Sequence, residues 1–299
     1  MSNERGTHTD PKQQQSQPAG AKSFSVRTFF GHLARLTLPP FIYQALIRFR
    51  LRRILPFYPA TYTGVYSSFK EMDDAFPSSD YYNDNSLNEL IERRRRHILE
   101  RVDEQDPNEK DRYNFLCTLV SVQPGRDVSI LDVGAGLGEA FEYLKIGCPG
   151  KNLKYKVLEI EQVVELAKRT VEDPEIEFYA DLNDLSRVDL VFFGSSFQYF
   201  ENKFDFLRSI LKLCPMVVAI CDSRMGDMPT FVTAQVNMPN RKIPYVVNNR
   251  SSLVEFFLNQ GYVLVTQFTN PRSDNFNNFP ENIKNSVKSW SLVFKKVKL

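Results

Sequence analysis

Residues 130–139 of the chain read Ile-Leu-Asp-Val-Gly-Ala-Gly-Leu-Gly-Glu, an apolar run that leads directly into three alternating glycines. The apolar part predicts a buried strand, and the residues from Glu139 to about Ile146 predict the helix that follows the turn. Glycine has no Cβ, so it suits a turn whose backbone takes a positive φ or lies close to a ligand. The stretch therefore predicts a strand–turn–helix unit with a ligand at the turn.

The spacing of these glycines separates two classes of nucleotide site. Gly134, Gly136 and Gly138 follow the order G-x-G-x-G, whereas the fingerprint of NAD sites places the third glycine one residue later. Asp132, two residues before the first glycine, fits poorly beside a pyrophosphate but suits a ligand with a free amine. S-adenosylmethionine carries an amine and no phosphate, so the turn predicts a site for this cofactor.

Acidic residues at the ends of the next strands extend the predicted cofactor site. Open parallel sheets bind ligands outside the carboxyl ends of their strands, and a carboxylate about twenty positions after the glycines binds ribose hydroxyls. Glu159, at the end of the second predicted strand, lies 21 positions after Gly138 (159 − 138). Asp181 follows the third strand and is predicted to accept a hydrogen bond from the adenine amino group. The predicted cofactor-binding set is Asp132, Gly134, Gly136, Gly138, Glu159, Asp181 and Ser195.

Strand and helix patterns alternate from about residue 109 onward. Central apolar runs between helical segments predict a mostly parallel sheet with helices on both faces. The last two strands, Tyr262–Phe268 and Ser289–Lys296, have no predicted helix between them and are expected to pair antiparallel. The fold class is therefore a Rossmann-like, doubly wound α/β fold with an N-terminal helical extension.

The bulk composition narrows the function classes. The 299 residues carry 38 basic and 36 acidic side chains, a formal charge of +2, which gives no general attraction to nucleic acid or acidic membranes. The four cysteines form no C-x-x-C pair and predict reduced, buried thiols of a cytoplasmic protein. No signal peptide is recognisable, and the longest uncharged apolar run, Leu36–Ile47, is too short to span a bilayer.

Four regions are expected along the chain. Residues 1–23, rich in Gln, Ser, Pro and Gly, predict a disordered tail. Residues 24–58 interleave apolar side chains with arginines and predict a basic amphipathic helical arm. The favoured role of this arm is packing against the domain or a second subunit, which leaves an oligomer open, and peripheral attachment to a membrane is the alternative. Residues 59–108 are expected to form a linker and an N-terminal helix, and residues 109–299 the cofactor-binding domain.

A run of four arginines lies on the predicted N-terminal helix, which begins at the capping box Ser86-x-x-Glu89. Consecutive helical residues point about 100° apart, so the run Arg93–Arg96 wraps around the helix instead of lining one face. The arrangement therefore predicts a solvated surface and not a binding patch.

Few residue types in the predicted α/β domain are candidates for catalysis. The only histidines are His8, His32 and His97, so neither a serine-type triad nor a histidine-rich zinc site is expected from residue 98 onward, and no metal is predicted. If the acceptor is a hydroxyl, its proton passes to a carboxylate, a tyrosine or water, and the candidate catalytic residues are Tyr199 and Asp222. An acceptor that is already nucleophilic needs no base, and catalysis is then mostly alignment.

In the residues described above, the sequence resembles the class I SAM-dependent methyltransferases. More narrowly, residues 40–272 are similar to a family of methyltransferases, mostly bacterial, that are often encoded with genes for cell-surface polysaccharides. The stretches that carry the resemblance are Tyr62–Phe69, Asp132–Gly138, Tyr155–Glu161, Asp189–Val191, Ser195–Phe200 and Phe231–Gln235.

The resemblance implies a seven-stranded sheet, S-adenosylmethionine as cofactor, and a glycan or glycan precursor as acceptor in polysaccharide biosynthesis. The acceptor is expected over Ser195–Tyr199 and Asp222, with the segment Tyr62–Phe69 as a lid. The chain departs from the family after the fifth strand, where an Arg-Thr-Pro-like run is replaced by residues 222–225, Asp-Ser-Arg-Met. A substrate role is therefore not carried over to Arg224.

Two other function classes remain open at the level of the sequence. The first is a SAM-binding or degenerate Rossmann protein that acts as a non-catalytic partner through its N-terminal arm, because no catalytic base is obvious. The second is an NAD-linked oxidoreductase, against which the glycine spacing argues.

Overall fold

Strand β2 (Asp127–Val133) is the strand that leads into the glycine turn. It pairs in parallel with β3 (Asn152–Leu158) on one side and with β5 (Leu190–Gly194) on the other. The stretch Ile130–Val133 is buried throughout, as expected of a parallel strand covered on both faces. The predicted strand–turn–helix unit is confirmed, because helix α4 (Ala140–Gly147) begins directly after the turn.

The computed structural model describes residues 61–75, 85–100, 107–236, 242–271, 276 and 279–297. These residues all belong to the unit Pro59–Leu299. The predicted tail at residues 1–23 and the predicted arm at residues 24–58 lie outside the described residues. In the described part of the chain, no helix combines the length and the apolar character that crossing a membrane requires.

The parallel part of the sheet has the order β4 (Ile176–Tyr179), β3, β2, β5 and β6 (Val217–Gly226). Beside β6 lies β10 (Lys288–Lys296), which pairs antiparallel both with β6 and with β9 (Tyr262–Thr269). The predicted antiparallel pairing of the last two strands is thus confirmed. A one-turn helix, α8 (Glu281–Lys284), lies between them, where no helix was expected.

Three further strands make the sheet ten-stranded and mixed in orientation. The end of β6 pairs in parallel with β8 (Ile243–Asn249), and β7 (Phe231–Gln235) and β1 (Tyr62–Tyr66) follow antiparallel. The seven-stranded sheet expected from the resemblance is therefore not confirmed, and the expected linker supplies strand β1. These short runs include polar residues and, in β8, a proline, so their alternation is a weak signal.

Helices cover both faces of the sheet. Ile130 belongs to a core cluster with residues of α3 (Pro107–Ser121) and α4, whereas its neighbour Leu131 belongs to a cluster with residues of α6 (Lys203–Leu211) and α7 (Arg250–Asn259). This alternation along one strand shows that the two helix layers lie on opposite faces. The helices are α1 (Phe69–Ala75), α2 (Asn85–Glu100), α3 (Pro107–Ser121), α4 (Ala140–Gly147), α5 (Glu161–Thr170), α6 (Lys203–Leu211) and α7 (Arg250–Asn259).

Candidate cofactor and acceptor site

The three glycines of the turn all have left-handed backbones, with φ of +70° at Gly134, +63° at Gly136 and +75° at Gly138. A Cβ at Gly134 would lie 2.6 Å from the Cβ of Ser196, so this glycine is required by packing. At Gly136 the nearest atoms to such a Cβ are the carboxylate oxygens of Glu139, at 3.5 and 3.6 Å. A Cβ at Gly136 would therefore make only ordinary van der Waals contacts, so packing within the chain does not by itself require glycine at this position.

The carboxylate of Glu159 lies directly against the glycine turn. Its Oε1 accepts a hydrogen bond of 2.8 Å from the Gly136 N–H, and its Oε2 accepts one of 3.1 Å from the Ile160 N–H. Burial raises the pKa of Glu159 to about 7, although the two N–H groups favour the ionised form. Each oxygen retains a second lone pair, so the carboxylate can still accept from ribose hydroxyls. The structure brings Glu159 and the turn together, as the spacing predicted.

Asp132 is buried beneath the same turn and accepts a hydrogen bond of 2.5 Å from the Tyr155 hydroxyl. Burial and, to a smaller extent, the nearby charge of Glu139 together raise the pKa of Asp132 to about 7, against the effect of the Tyr155 hydrogen bond. Glu139 is also buried, and it is a site residue that was not predicted from the sequence. Three carboxyl groups thus surround the turn, and such a cluster favours a cationic ligand.

Asp181 follows strand β4 at the same edge of the sheet, but its side chain is exposed and already has partners. Its carboxylate accepts from the backbone N–H of Asn183 at 2.9 Å and from the Asn183 side chain at 3.3 Å, which caps a short 3-10 turn. The position agrees with the sequence, and the adenine contact stays a prediction.

Ser195 and Ser196 connect the ends of three strands. Ser195 has a φ of +68° and donates its N–H to the Cys221 carbonyl at 3.0 Å, while its hydroxyl donates to the Asp222 carbonyl at 3.4 Å. The buried Ser196 hydroxyl donates to the carbonyl of Val133, the last residue of β2. The loop after β5 is therefore held to both β2 and β6, next to the glycine turn.

Asp222 lies in the buried part of strand β6 and has a φ of +53°. Its carboxylate forms an ion pair of 3.1 Å with Arg224 and accepts a hydrogen bond from the Ser289 hydroxyl of strand β10. Its backbone N–H donates to the Ser291 hydroxyl at 3.2 Å. The candidate base is thus held by a cation and a hydroxyl, and neither pairing was predicted from the sequence.

Tyr199, the second candidate catalytic residue, is held by strands β7 and β8. Its hydroxyl donates to Gln235 Oε1 at 3.1 Å, and its ring packs edge-on against Tyr245, with centroids 5.7 Å apart. The predicted lid Tyr62–Phe69 lies on this side of the site, but it begins as strand β1 of the sheet, and the Phe69 N–H donates to Glu201 at 2.7 Å.

The arginine run on α2 is not solvated throughout, so that expectation is wrong for one member. Arg93, Arg94 and Arg96 are exposed, whereas Arg95 is partly buried and its guanidinium donates to the carbonyl of Leu137 in the glycine turn. Ile91, one helical turn earlier, lies 3.8 Å from the position of a Cβ at Gly136. Helix α2 therefore packs on the turn, and only the i,i+4 spacing of these two residues signals it.

Arg112 of helix α3 was also missed. Its Nη1 donates to the carbonyl of Gly194, the last residue of β5, at 3.2 Å. Its positive charge favours the ionised form of Asp132 and so acts against the burial that raises the pKa of that group. Nothing in the sequence around Arg112 shows that α3 brings it to the carboxyl edge of the sheet.

No protein-family model matches the chain, and a search of curated proteins gives no match. Similar solved structures include the Burkholderia thailandensis 1,6-didemethyltoxoflavin-N1-methyltransferase with bound S-adenosylhomocysteine, at 17% identity over 74% of this chain and 92% of that one, with a TM-score of 0.43. They also include the magnesium protoporphyrin IX methyltransferase of Synechocystis PCC 6803 with bound S-adenosylhomocysteine, at 12% identity over 73% and 97%, with a TM-score of 0.48.

A third similar structure is LepI in complex with SAM, at 15% identity over 91% of this chain and 68% of that chain, with a TM-score of 0.45. These three proteins were solved with S-adenosylmethionine or its demethylated product bound. With all three TM-scores below 0.5, the fold of this chain rests on its own strand order and register, a doubly wound α/β sheet with its candidate site at the carboxyl edge.

Proposed function

We propose that this chain is a SAM-dependent methyltransferase whose acceptor binds at the ends of β5 and β6. The observation that carries the proposal is the hydrogen bond between the Gly136 N–H and the Glu159 carboxylate. It joins the central glycine of the turn to Glu159, the carboxylate at the spacing expected for a ribose ligand.

Each part of the cofactor is matched by a group of this chain. Asp132 and the glycines Gly134, Gly136 and Gly138 would hold the methionine end, where the buried carboxyl groups compensate a cation. Glu159 would bind the ribose, Asp181 the adenine end, and Ser195 the side of the cofactor that faces β5. When bound, S-adenosylmethionine supplies an electrophilic methyl group next to the acceptor side of the site.

The protein's own contribution on the acceptor side is alignment and proton acceptance. Asp222 and Tyr199 are the residues that we propose for these roles, with Asp222 fixed by Arg224 and Ser289 and Tyr199 fixed by Gln235. Positioning two reactants at attack distance supplies several kcal/mol of a barrier, so a strong base is not required for every acceptor. A glycan acceptor rests on the sequence resemblance alone.

Gly136→Ala tests the cofactor site against a matched control. In the free protein the added methyl group meets only ordinary contacts, so the variant should fold with a loss of about 1 kcal/mol from its positive φ. Gly125→Ala carries the same backbone cost, at φ +78° with no atom within 4 Å. Calorimetric titration with S-adenosylhomocysteine should show binding to Gly125→Ala and at least about tenfold weaker binding to Gly136→Ala.

Equal affinity in the two variants would place the cofactor elsewhere. A parallel titration with NADH should show no binding, and NADH binding with wild-type affinity lost in Gly136→Ala would indicate the oxidoreductase instead.

A non-catalytic SAM-binding partner is the second candidate function, and the occupied carboxylate of Asp222 favours it. The two functions differ in turnover, because only an enzyme releases S-adenosylhomocysteine when an acceptor is supplied.

Co-sedimentation with anionic vesicles tests the membrane role proposed for residues 24–58. A cytoplasmic location and an oligomer also stay predictions from the sequence.

A further inference from the structure

A cavity of about 370 Å³ lies beside the proposed acceptor side of the site. Its walls come from helix α3, strands β6, β9 and β10, and the residues that follow β9. The volume is at the lower end of the range of small-molecule sites, about 300–1,000 Å³, and suits a molecule of one or two rings. The lining residues that matter below are Arg112, Phe115, Cys221, Asp222, Phe268 and Pro271.

The inner end of the cavity adjoins the proposed cofactor site. Cys221, which lines it, lies opposite Gly194 in the register of β6 and β5. Arg112, on the facing helix, donates to the carbonyl of the same Gly194. Ser195, in the proposed cofactor-binding set, is the next residue of the chain. A ligand in the cavity would therefore lie next to the loop that faces the cofactor.

Arg112 gives the cavity a cation with unused hydrogen-bonding capacity. Its Nη1 is bonded to Gly194, but its buried Nε has no hydrogen-bond partner among the described residues. Across the same ranges of the chain, no carboxylate lies within ion-pair distance of Arg112, and the charge of Asp222 is paired with Arg224. A guanidinium edge binds a carboxylate through two parallel hydrogen bonds, and a single arginine compensates a single negative charge.

The remaining walls of the cavity favour a flat ring. Phe115 and Phe268 line it and pack edge to face, with centroids 5.1 Å apart, and Pro271 adds a third apolar surface. Phe268 is 37% exposed, although it is a large apolar side chain. Aromatic faces and edges bind another flat ring in stacked or edge-on geometry. A sugar ring, whose carbons carry hydroxyls, packs less well against them.

The one thiol in the cavity wall is not a nucleophile. Cys221 is buried, and this burial raises the pKa of its thiol far above the usual range, so the sulfur stays protonated. The cavity therefore offers recognition of a ligand and no covalent capture.

We propose that this cavity binds the methyl acceptor, and that the acceptor belongs to the small aromatic carboxylates. The carboxylate would pair with Arg112, and the ring would lie against Phe115 and Phe268. The identification of the ligand as the acceptor rests on the proposed function, whereas the binding of an aromatic carboxylate does not.

The test uses the full chain and four small probes that separate the contributions of the charge, the flat ring and a sugar ring. 4-Hydroxybenzoate has the ring and the charge, phenol only the ring, cyclohexanecarboxylate the charge without a flat ring, and glucuronate the charge on a sugar. Calorimetry and saturation-transfer NMR should show 4-hydroxybenzoate binding with a Kd of about 1 mM and the other three binding at least about fivefold more weakly.

Two pairs of variants locate the probe. Arg112→Gln should weaken 4-hydroxybenzoate about tenfold and leave phenol within about twofold, while Arg112→Lys keeps the charge and should lose less. Phe268→Ala should weaken both aromatic probes about fivefold. Its control is Val265→Ala, an exposed residue of the same strand that does not line the cavity and should change neither affinity. Because Phe268 is partly exposed, its variant tests the cavity even if Arg112→Gln does not fold.

The outcomes separate the two proposals. No saturation transfer to 4-hydroxybenzoate, or the same affinity in the wild type and in both Phe268→Ala and Arg112→Gln, would overturn this inference. Preferred binding of glucuronate would overturn the aromatic class. If S-adenosylhomocysteine binds and the aromatic acid does not, only the inference fails. If the aromatic acid binds at Arg112 and S-adenosylhomocysteine does not bind at all, the proposed function fails and the cavity remains an aromatic-acid site.

Discussion

The glycine turn and the buried part of β6 lie at the same edge of one sheet, but they are built differently. The turn presents backbone N–H groups beside carboxylates that come from residues 132–159. At β6, the Asp222 carboxylate is held by Arg224 of its own strand and by Ser289, 67 positions away on β10. A site built from backbone needs glycines at fixed spacing, whereas a site built from side chains needs two distant strands to pair.

This difference explains why the glycine turn can be recognised in the sequence and the surroundings of Asp222 cannot. The backbone of the turn requires glycine at positions such as Gly134, where a Cβ would overlap Ser196. The spacing of the glycines in the sequence therefore indicates the turn. The requirement at Asp222 is looser, because its φ of +53° is tolerated by Asp and Asn as well as by glycine, and its partner Ser289 comes from a distant strand. Three substitutions test this contrast, in order of expected effect.

Arg224→Met should have the largest effect, because it leaves the Asp222 carboxylate buried without its cation. Breaking one side of a buried ion pair costs about 3–5 kcal/mol of the free energy of unfolding. Urea denaturation followed by circular dichroism measures this loss. The exposed pair of Arg208 and Asp205 is the control, and Arg208→Met should stay within about 0.5 kcal/mol of the wild type. A loss below about 1 kcal/mol for Arg224→Met would mean that the buried Asp222 carboxylate does not need the Arg224 cation for stability.

The second prediction concerns the pH dependence of stability, to which Asp132 and Glu159 both contribute on the side of the glycine turn, Asp132 through the larger pKa shift. The pKa of Asp132 is about 7 in the folded protein and 3.8 in the unfolded reference, so the folded state binds more protons between these values. The free energy of unfolding should therefore fall as pH rises from about 4 to about 7, by up to about 4 kcal/mol for this group.

Asp132→Asn should reduce that slope to the part that Glu159 contributes, since an amide does not titrate. Urea titrations at a series of pH values compare it with Asp181→Asn, which makes the same change in an exposed side chain and should keep the wild-type slope. A slope unchanged in Asp132→Asn would show that other groups produce the dependence.

The smallest effect is expected for Arg95→Ala, which removes the hydrogen bond from helix α2 to the Leu137 carbonyl. A partly buried contact of this kind contributes about 1 kcal/mol, so Tm should fall by a few degrees. Arg93→Ala and Arg96→Ala change exposed members of the same run and should leave Tm within about 1 °C. Equal effects of all three substitutions would mean that Arg95 is as solvated as Arg93 and Arg96, as the sequence predicted.

The sequence was sufficient for those parts of the fold that have their own local signal. Strand β2, the glycine turn and the alternation that follows it combine long apolar runs with glycine punctuation, and each was found where expected. Strands β1, β7 and β8 are short and interrupted by polar residues, and their membership of the sheet depends on pairing with the end of β6. Tertiary pairing of that kind leaves no local pattern.

The candidate site follows the same division. Asp132, Glu159 and Asp181 were located because strand ends in an alternating pattern fall at one edge of the sheet. Arg95 and Arg112 could not be located, because their approach depends on how helices α2 and α3 dock, and a charged helical residue is usually solvated. The partners of Asp222 were missed because the register between β6 and β10 decides them.

Strand β10 has a consequence for how the protein is made. It follows β6 and β9 in the chain, yet it lies between them and pairs with both. During synthesis, β6 and β9 are therefore complete before the strand that joins them exists, and each offers an unpaired edge until then. Ser289 arrives with the same strand, so the hydroxyl that holds Asp222 comes last to the site. A nascent chain that stops before residue 288 would contain the whole glycine turn and Asp222, but not the Ser289 hydroxyl that holds the Asp222 carboxylate.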